Sequence, residues 1–170
     1  MKPIKQSTYE SCLACCLLML AGKGKKDEIE IWKHGWKFNY LIGQLNFVSS
    51  KYNRKVTAYI EIKDYFNWLQ LRNGRGVKLV NSRIDWKLIA KILKKQPVII
   101  YFDGYYPYIA NLGYVHAPHF VVALKVVGEF IEVVDTYDGK IKKWKINDLK
   151  KGIISLRNHL KYSPVLITID

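Results

Sequence analysis

Residues 5–22 constrain the fold most, because a polar opening runs directly into an apolar run that begins with a cysteine. Ser11 is a residue type that caps helix N-termini and Gly22 is one that ends helices, so the pattern predicts a helix over residues 12–21. A thiol in the first turn of a helix meets free backbone N–H groups and the positive end of the helix dipole, which favour the thiolate. Cys12 is therefore a candidate nucleophile, and a cysteine that only packs in an apolar helix is the other interpretation.

The three cysteines, Cys12, Cys15 and Cys16, are too close together to link distant parts of a fold. This excludes a disulfide framework and favours a reducing, cytoplasmic location. With 170 residues, 49% of them hydrophobic, we expect a single domain over residues 1–170 with its own core. The apolar run is too short to span a membrane and no clear cleavage site follows it, so we expect an uncleaved chain without a membrane segment.

The charge balance is strongly basic, with 28 Lys and Arg against 14 Asp and Glu and a formal net charge of +14. Such a surface attracts polyanions. The lysines are nevertheless scattered in small groups, and no nucleic-acid-binding motif accompanies them. We therefore expect weak, nonspecific polyanion binding rather than recognition of a defined nucleic acid.

Apolar periodicity predicts a mainly helical first half and a second half rich in strands. Helices are predicted over residues 12–21, 27–32, 39–52, 64–71, 85–93 and 146–151. Strands are predicted over residues 56–60, 77–80, 98–102, 119–127, 130–134, 140–145, 153–157 and 165–169. The order indicates an α+β fold in which N-terminal helices pack on a C-terminal antiparallel β-sheet.

A cysteine nucleophile needs a base within hydrogen-bond reach and a third group to orient that base. Among the four histidines, His34 and His159 are expected at the surface, and His116 lies in a loop. His119 is the better base, because it opens an apolar strand that fixes its backbone. Asp135 ends the next strand of the hairpin, where it can pair with His119, hold the imidazole tautomer and stabilise an imidazolium.

Two further groups complete the predicted site. Gln6 lies six residues before Cys12, so its amide and the Cys12 backbone N–H could both donate to an oxyanion. The irregular stretch over residues 103–118 holds tyrosines that could bind a peptide or acyl substrate beside His119. The alternative is a surface loop with partly buried rings. These tyrosines are Tyr105, Tyr106, Tyr108 and Tyr114.

The order Gln6, Cys12, His119 at the start of an apolar strand, and Asp135 with Gly139 four residues later resembles the papain-like fold. Within that fold the chain is most similar to the double-glycine leader peptidases, the cysteine peptidase domains of bacteriocin exporters. The resemblance implies a papain-like cysteine proteinase fold with Cys12 as nucleophile, His119 as base, Asp135 as its orienter and Gln6 as oxyanion donor. It implies a hydrolase that cleaves a peptide or amide bond through a cysteine acyl-enzyme, with a peptide substrate and no metal or other cofactor.

The resemblance covers residues 3–145 and includes the helix that ends at Lys94-Lys95-Gln96-Pro97 before an apolar strand. The chain departs from the family at three positions. The family usually has an acidic residue before the cysteine and a glycine after it, where this chain has Ser11 and Leu13. It usually has proline after the aspartate, where this chain has Thr136.

Other functions fit the same residues. Cys12 and Cys15 with His116 and His119 have the composition of a zinc site, although structural zinc sites usually place their cysteines in turns. Cys12 and Cys15 also have the spacing of a dithiol redox pair. A catalytically inactive papain-like binding module with a basic surface is a further alternative. The residue pattern does not separate a peptidase from an acyltransferase, since both proceed through the same thioester, and it says nothing about oligomeric state.

Overall fold

The computed structural model describes residues 1–37, 40–61, 76–108 and 115–170. The helix predicted over residues 64–71 and the candidate substrate-binding Tyr114 lie outside the described residues. The described helices are α1 Cys12–Leu20, a 3-10 turn Lys25–Asp27, α2 Glu28–Lys37, α3 Tyr40–Tyr52, α4 Trp86–Leu93, the single turn α5 Tyr105–Tyr108 and α6 Ile146–Asn158. The described strands are β1 Val56–Ile60, β2 Val77–Asn81, β3 Val98–Asp103, β4 Pro118–Val127, β5 Phe130–Asp135, β6 Lys140–Lys145 and β7 Val165–Ile169.

Within the described residues, seven strands form one sheet in the order β2-β1-β7-β3-β4-β5-β6. The α+β class is thereby confirmed, but the sheet is mixed rather than antiparallel, because β1 and β2 pair in parallel. The remaining neighbours are antiparallel. Both strands were predicted, β1 in the half of the chain expected to be mainly helical and β2 at the start of the half rich in strands, and they add to the sheet through β7.

Helices cover both faces of this sheet. Side chains of β3 alternate between two apolar clusters, with Ile99 in the cluster that holds α1, α2 and α3, and with Ile100 and Phe102 in the cluster that holds α4 and α6. This explains the continuous apolar run of β3, since a strand buried on both faces has no polar side. The prediction that the N-terminal helices pack on the sheet is therefore right for one face only.

α1 lies inside the molecule and packs on β4. Every side chain from Cys12 to Met19 is buried, so the helix has no polar face. Burying one leucine side chain stabilises a fold by roughly 1.5–3 kcal/mol, and α1 contributes Leu13, Leu17 and Leu18, each fully buried. The position of Cys12 is consequently fixed by the packing of the whole helix behind it.

α6 corrects the sequence prediction at the C-terminal end. A short helix over residues 146–151 and a strand over 153–157 were expected, whereas one helix runs through both. Short apolar runs do not distinguish strand from buried helix, and here Leu149, Ile153 and Leu156 form the buried face at helical spacing. Gly152 permits close packing on β3, because a Cβ atom there would lie 2.7 Å from the Asp103 carbonyl oxygen.

None of the helices in the described part of the chain is both long enough and apolar enough to cross a bilayer.

Candidate active site

The β4–β5 hairpin brings a histidine and an aspartate together at one end of the sheet. His119 is the second residue of β4, and Asp135, the last residue of β5, pairs with Val121 two positions further along β4. His119 Nε2 lies 3.1 Å from Asp135 Oδ1, and the Asp135 side chain is fully buried. The short hairpin therefore produces the pairing that the strand pattern predicts.

Cys12 reaches the same point from α1, as the first residue of that helix. Its thiol is one of the neighbouring groups that raise the pKa of the His119 imidazole. Because Nε2 of His119 is taken by Asp135, Nδ1 is the ring nitrogen left for Cys12. The structure thus brings Cys12, His119 and Asp135 together, although residues 12 and 119 are far apart in the chain.

The His119–Asp135 pair favours a charged imidazole. Burial opposes the charge on His119, but the hydrogen bond with Asp135 and the neighbouring Cys12 outweigh it and raise its pKa to about 9. Burial likewise opposes the charge on Asp135, and the bonds from His119, Lys142 and Tyr108 overcome it and hold its pKa well below the usual range. At neutral pH the pair is therefore an imidazolium facing a carboxylate.

Aromatic rings shield the pair from water. Phe102 and Tyr108 meet the His119 ring edge-on, with centroid distances of 6.2 Å and 6.1 Å. Trp144 packs against both of them at 5.4 Å and 5.5 Å. The His119 side chain is only 12% exposed, so its bond to Asp135 lies in a low-dielectric environment where charge-assisted hydrogen bonds are strong.

Two side chains bind the second oxygen of Asp135, one of them predicted for another role and one not predicted. The Tyr108 hydroxyl, expected to bind substrate, donates to Oδ2 at 2.7 Å and the Lys142 ammonium at 2.6 Å, while the Tyr137 backbone N–H donates to Oδ1 at 3.0 Å. Lys142 also contacts Asp138 at 3.1 Å. Alternation on β6 could have pointed to Lys142, because Lys140 pairs with Asp135 and Lys142 follows it on the same face.

Gln6 lies beside the end of β5 but its amide is already engaged. Its backbone N–H donates to the Thr136 carbonyl at 2.7 Å, and its side-chain oxygen accepts from the Thr136 hydroxyl at 2.8 Å. Its side-chain nitrogen donates to the carbonyls of Thr8 and Tyr9 at 2.9 Å and 3.1 Å. The side-chain nitrogen of Gln6 that was predicted to serve an oxyanion therefore binds two backbone oxygens, and one of these bonds must be released for it to act on a substrate.

A buried carboxylate holds the segment that leads into α1. Glu28, 1% exposed, accepts from the Ser7 backbone N–H at 2.5 Å, from the Ser7 hydroxyl at 2.8 Å and from the Ser11 hydroxyl at 2.6 Å. Ser11 was expected to cap α1, but its hydroxyl serves Glu28 and Thr8 instead and makes no cap bond to the helix. The first-turn N–H groups beside Cys12 are thus left uncapped by Ser11.

The other two cysteines differ from Cys12. Cys15 is buried beside Glu28, and its burial, followed by the negative charge of Glu28, raises its pKa. Cys16 is fully buried, which raises its pKa well above the usual value. Both thiols are therefore held in the protonated, unreactive form.

The candidate substrate-binding tyrosines are divided between two places. Tyr108 bonds Asp135, whereas Tyr105 stacks on the His116 ring at a centroid distance of 4.1 Å. Tyr106 lines a surface cavity on that same side. His116 Nδ1 lies 2.6 Å from Asp103 Oδ2, so the structure forms a second histidine–aspartate pair that the sequence did not indicate.

The predicted zinc ligands are not gathered at one point. Cys15 lies beside Glu28 and His116 pairs with Asp103, while Cys12 lies beside His119. Compared with models of protein families and with curated proteins, the sequence matches none. The function is accordingly argued from the geometry of Cys12, His119 and Asp135.

Proposed function

We propose that the protein is a papain-like cysteine hydrolase, similar to the double-glycine leader peptidases, that cleaves a peptide or amide bond. The observation that supports this most directly is that Cys12 lies beside the hydrogen-bonded pair of His119 and Asp135. Acyl transfer through a cysteine requires a nucleophile next to a base, and a carboxylate that orients the base from its other side.

The reaction begins when the Cys12 thiolate attacks the carbonyl carbon of the substrate, with the proton held on His119. The Cys12 backbone N–H and the Gln6 amide donate to the oxyanion, the Gln6 amide after releasing Thr8 or Tyr9. The imidazolium of His119 then gives its proton to the leaving amine as the carbon–nitrogen bond breaks, which leaves a thioester on Cys12. Proton transfer of this kind contributes roughly a hundredfold or more to the rate.

Water completes the cycle. His119 takes a proton from the water, the resulting hydroxide attacks the thioester carbonyl, and the carbon–sulfur bond breaks to release the carboxylic acid and the Cys12 thiolate. If an amine or alcohol replaces the water, the same enzyme is an acyltransferase. Throughout, Asp135 keeps the ring oriented, and the bonds from Tyr108 and Lys142 keep Asp135 in place.

An inactive binding module is the second candidate, and two observations favour it: Cys12 is only 7% exposed, and both side-chain N–H groups of Gln6 bind backbone carbonyls. A substrate must reach Cys12 past the segment over residues 6–11. The two functions differ in whether Cys12 becomes acylated.

The test has two readouts. p-Nitrophenyl acetate should produce an acetyl adduct on Cys12 that intact-mass spectrometry detects and that then hydrolyses. Cys12→Ser should give no adduct on the native protein, because Cys15 and Cys16 are fully buried. Iodoacetamide should alkylate Cys12 below pH 8, and His119→Ala should slow this by about tenfold or more, because the imidazolium partner is lost.

The hydrolase proposal fails if native Cys12 forms no acetyl adduct and reacts with iodoacetamide equally fast with and without His119. An adduct that forms but is not hydrolysed, and that transfers to an added amine, identifies an acyltransferase instead.

A further inference from the structure

A second site lies on the surface formed by α5, α6 and the segment before β4. It is a cavity of about 370 Å³. Its lining residues are Tyr106, His116, Lys151, Ile154, Ser155, Asn158 and His159. They include none of Cys12, His119 and Asp135, so this cavity is separate from the candidate active site.

Asp103 is the buried group on which this site is built. It is fully buried at the end of β3, and its Oδ2 accepts from the Ser155 hydroxyl at 2.6 Å and lies 2.6 Å from His116 Nδ1. Its Oδ1 accepts from the Tyr105 backbone N–H at 3.1 Å. Burial opposes its charge, but the bonds from Ser155 and His116 keep the pKa of Asp103 below the usual range. The buried carboxylate therefore orients the ring of His116.

Rings on both sides also fix His116. Tyr105 stacks on it at 4.1 Å with an interplanar angle of 13°, and the His159 ring lies 4.4 Å away. Asp103 holds Nδ1 of His116, so Nε2 is the ring nitrogen left for a ligand in the cavity that His116 lines. His159, Lys151 and Asn158 bring further nitrogen donors to the same cavity.

The charge of the lining decides the class of ligand. None of the described residues that line the cavity carries a carboxylate, whereas three of them carry basic nitrogen. A metal cation would meet Lys151 here, and hard cations require oxygen ligands that this cavity does not concentrate. Oxyanions are bound by such groups, through charge-assisted hydrogen bonds from basic side chains.

We propose that this cavity binds a small tetrahedral oxyanion, the phosphate or sulfate group of a small molecule, through His116, His159, Lys151 and Asn158. The cavity is larger than the anion alone, so the rest of the molecule lies against Tyr106 and Ile154. The proposal does not depend on Cys12 being catalytic.

Sulfate is the first probe, because its charge is constant near neutral pH. In a titration at fixed ionic strength, the ring resonances of His116 and His159 should shift with one common, saturable dissociation constant, and those of His34 should not. Lys151→Gln should weaken binding by about fivefold, the value of one exposed charged contact. The matched control Lys94→Gln removes an exposed lysine of the 94–95 turn and should weaken it by less than twofold.

Several results would overturn the proposal. Shifts that never saturate, or an equal loss in Lys151→Gln and Lys94→Gln, would mean general attraction by the net charge. Binding of acetate but not of sulfate or phosphate would mean a carboxylate ligand. Tight binding of Zn²⁺ to His116 and His159 without any response to sulfate would mean a metal site. His159→Gln keeps the Asp103–His116 pair and should weaken sulfate binding without loss of thermal stability.

Discussion

His119 is the residue whose protonation most affects both chemistry and stability at this site. Its folded-state pKa of about 9 lies above the ordinary histidine value of about 6.5. The stabilisation it provides is therefore complete below about pH 6.5 and is lost as pH rises through about 9. Asp135 works in the opposite sense, since its depressed pKa gives stabilisation that is present above the ordinary aspartate value of about 4 and is lost in acid.

Urea unfolding at a series of pH values measures this effect. The free energy of unfolding should fall between pH 6.5 and 9, with a slope of at most about 1.4 kcal/mol per pH unit for one proton. His119→Gln should flatten that slope. An unchanged slope in the variant would show that His119 is not the group that titrates.

Lys142 should lower the pKa values of both members of the His119–Asp135 pair, because its positive charge lies next to them. Its ammonium bonds Asp135 and Asp138 and is 25% exposed. Replacing it in Lys142→Gln removes a cation, so the pKa values of both Asp135 and His119 should rise, by roughly one unit for a partly exposed contact. NMR titration of the Asp135 carboxyl and the His119 ring measures both shifts.

The control is Lys140→Gln, which lies on the same strand and is exposed. This variant should leave both pKa values nearly unchanged. Equal shifts in the two variants would contradict a role for the direct contact between Lys142 and Asp135.

For single residues, the sequence predicted which backbone positions lie close together better than it predicted which side chains bond each other. The approach of His119 to Asp135 followed from one short hairpin, which strand patterns reveal. The bonds of Gln6 to Thr8 and Tyr9 could not be predicted, because they depend on the local path of residues 6–11. The bond of Tyr108 to Asp135 depends on a single helical turn, α5, within a stretch expected to be irregular.

Among the structural elements, the segment before α1 depends on α2 through the Glu28 carboxylate. Glu28→Gln keeps the shape of the side chain but replaces one acceptor oxygen with a donor facing Ser7 or Ser11. Hydrogen bonds to a charged group are worth about 1.5–3 kcal/mol, so the variant should lose that order of stability in urea unfolding. It should also change the alkylation rate of Cys12, since Ser11 directly precedes that residue.

Glu30→Gln is the matched control for that measurement. Glu30 is 53% exposed and pairs with Lys51, and a surface pair of this kind is worth about 0–1 kcal/mol. Equal losses in the two variants would mean that the buried position of Glu28 gives it no special role.

The helices and strands also show where prediction from the sequence succeeds and where it fails. Strong signals, such as the cap that Asp85 gives α4 by accepting from the Leu88 N–H at 2.9 Å, were readable in the sequence. The parallel pairing of β1 with β2 was not, because it depends on how the chain crosses between them rather than on either strand's pattern. Ile153 and Leu156 were wrongly assigned to a strand, because the short apolar run that holds them suits either a strand or a helix. Only the packing of α6 on β3 decides between the two.

For the whole molecule, the net charge of +14 predicts weak association with any polyanion. Binding to a random-sequence DNA duplex should be detectable at low salt and should fall steeply as salt rises, by roughly a factor of ten to a hundred between 50 and 200 mM if two to four phosphates are contacted. Fluorescence anisotropy at several salt concentrations measures this slope. A salt-insensitive or sequence-dependent affinity would contradict the expectation of nonspecific attraction.

The N-terminal segment contacts residues far along the chain, as in the bond between Gln6 and Thr136, which lie 130 positions apart. This distance affects how the chain folds during translation. α1 leaves the ribosome early, yet the strand on which it packs, β4, begins only at residue 118. At about 5–20 residues per second, a helix with no polar face waits for several seconds before its partner exists. During translation this chain should therefore need a chaperone to cover α1, and Cys12 should meet His119 and Asp135 only when synthesis is nearly complete.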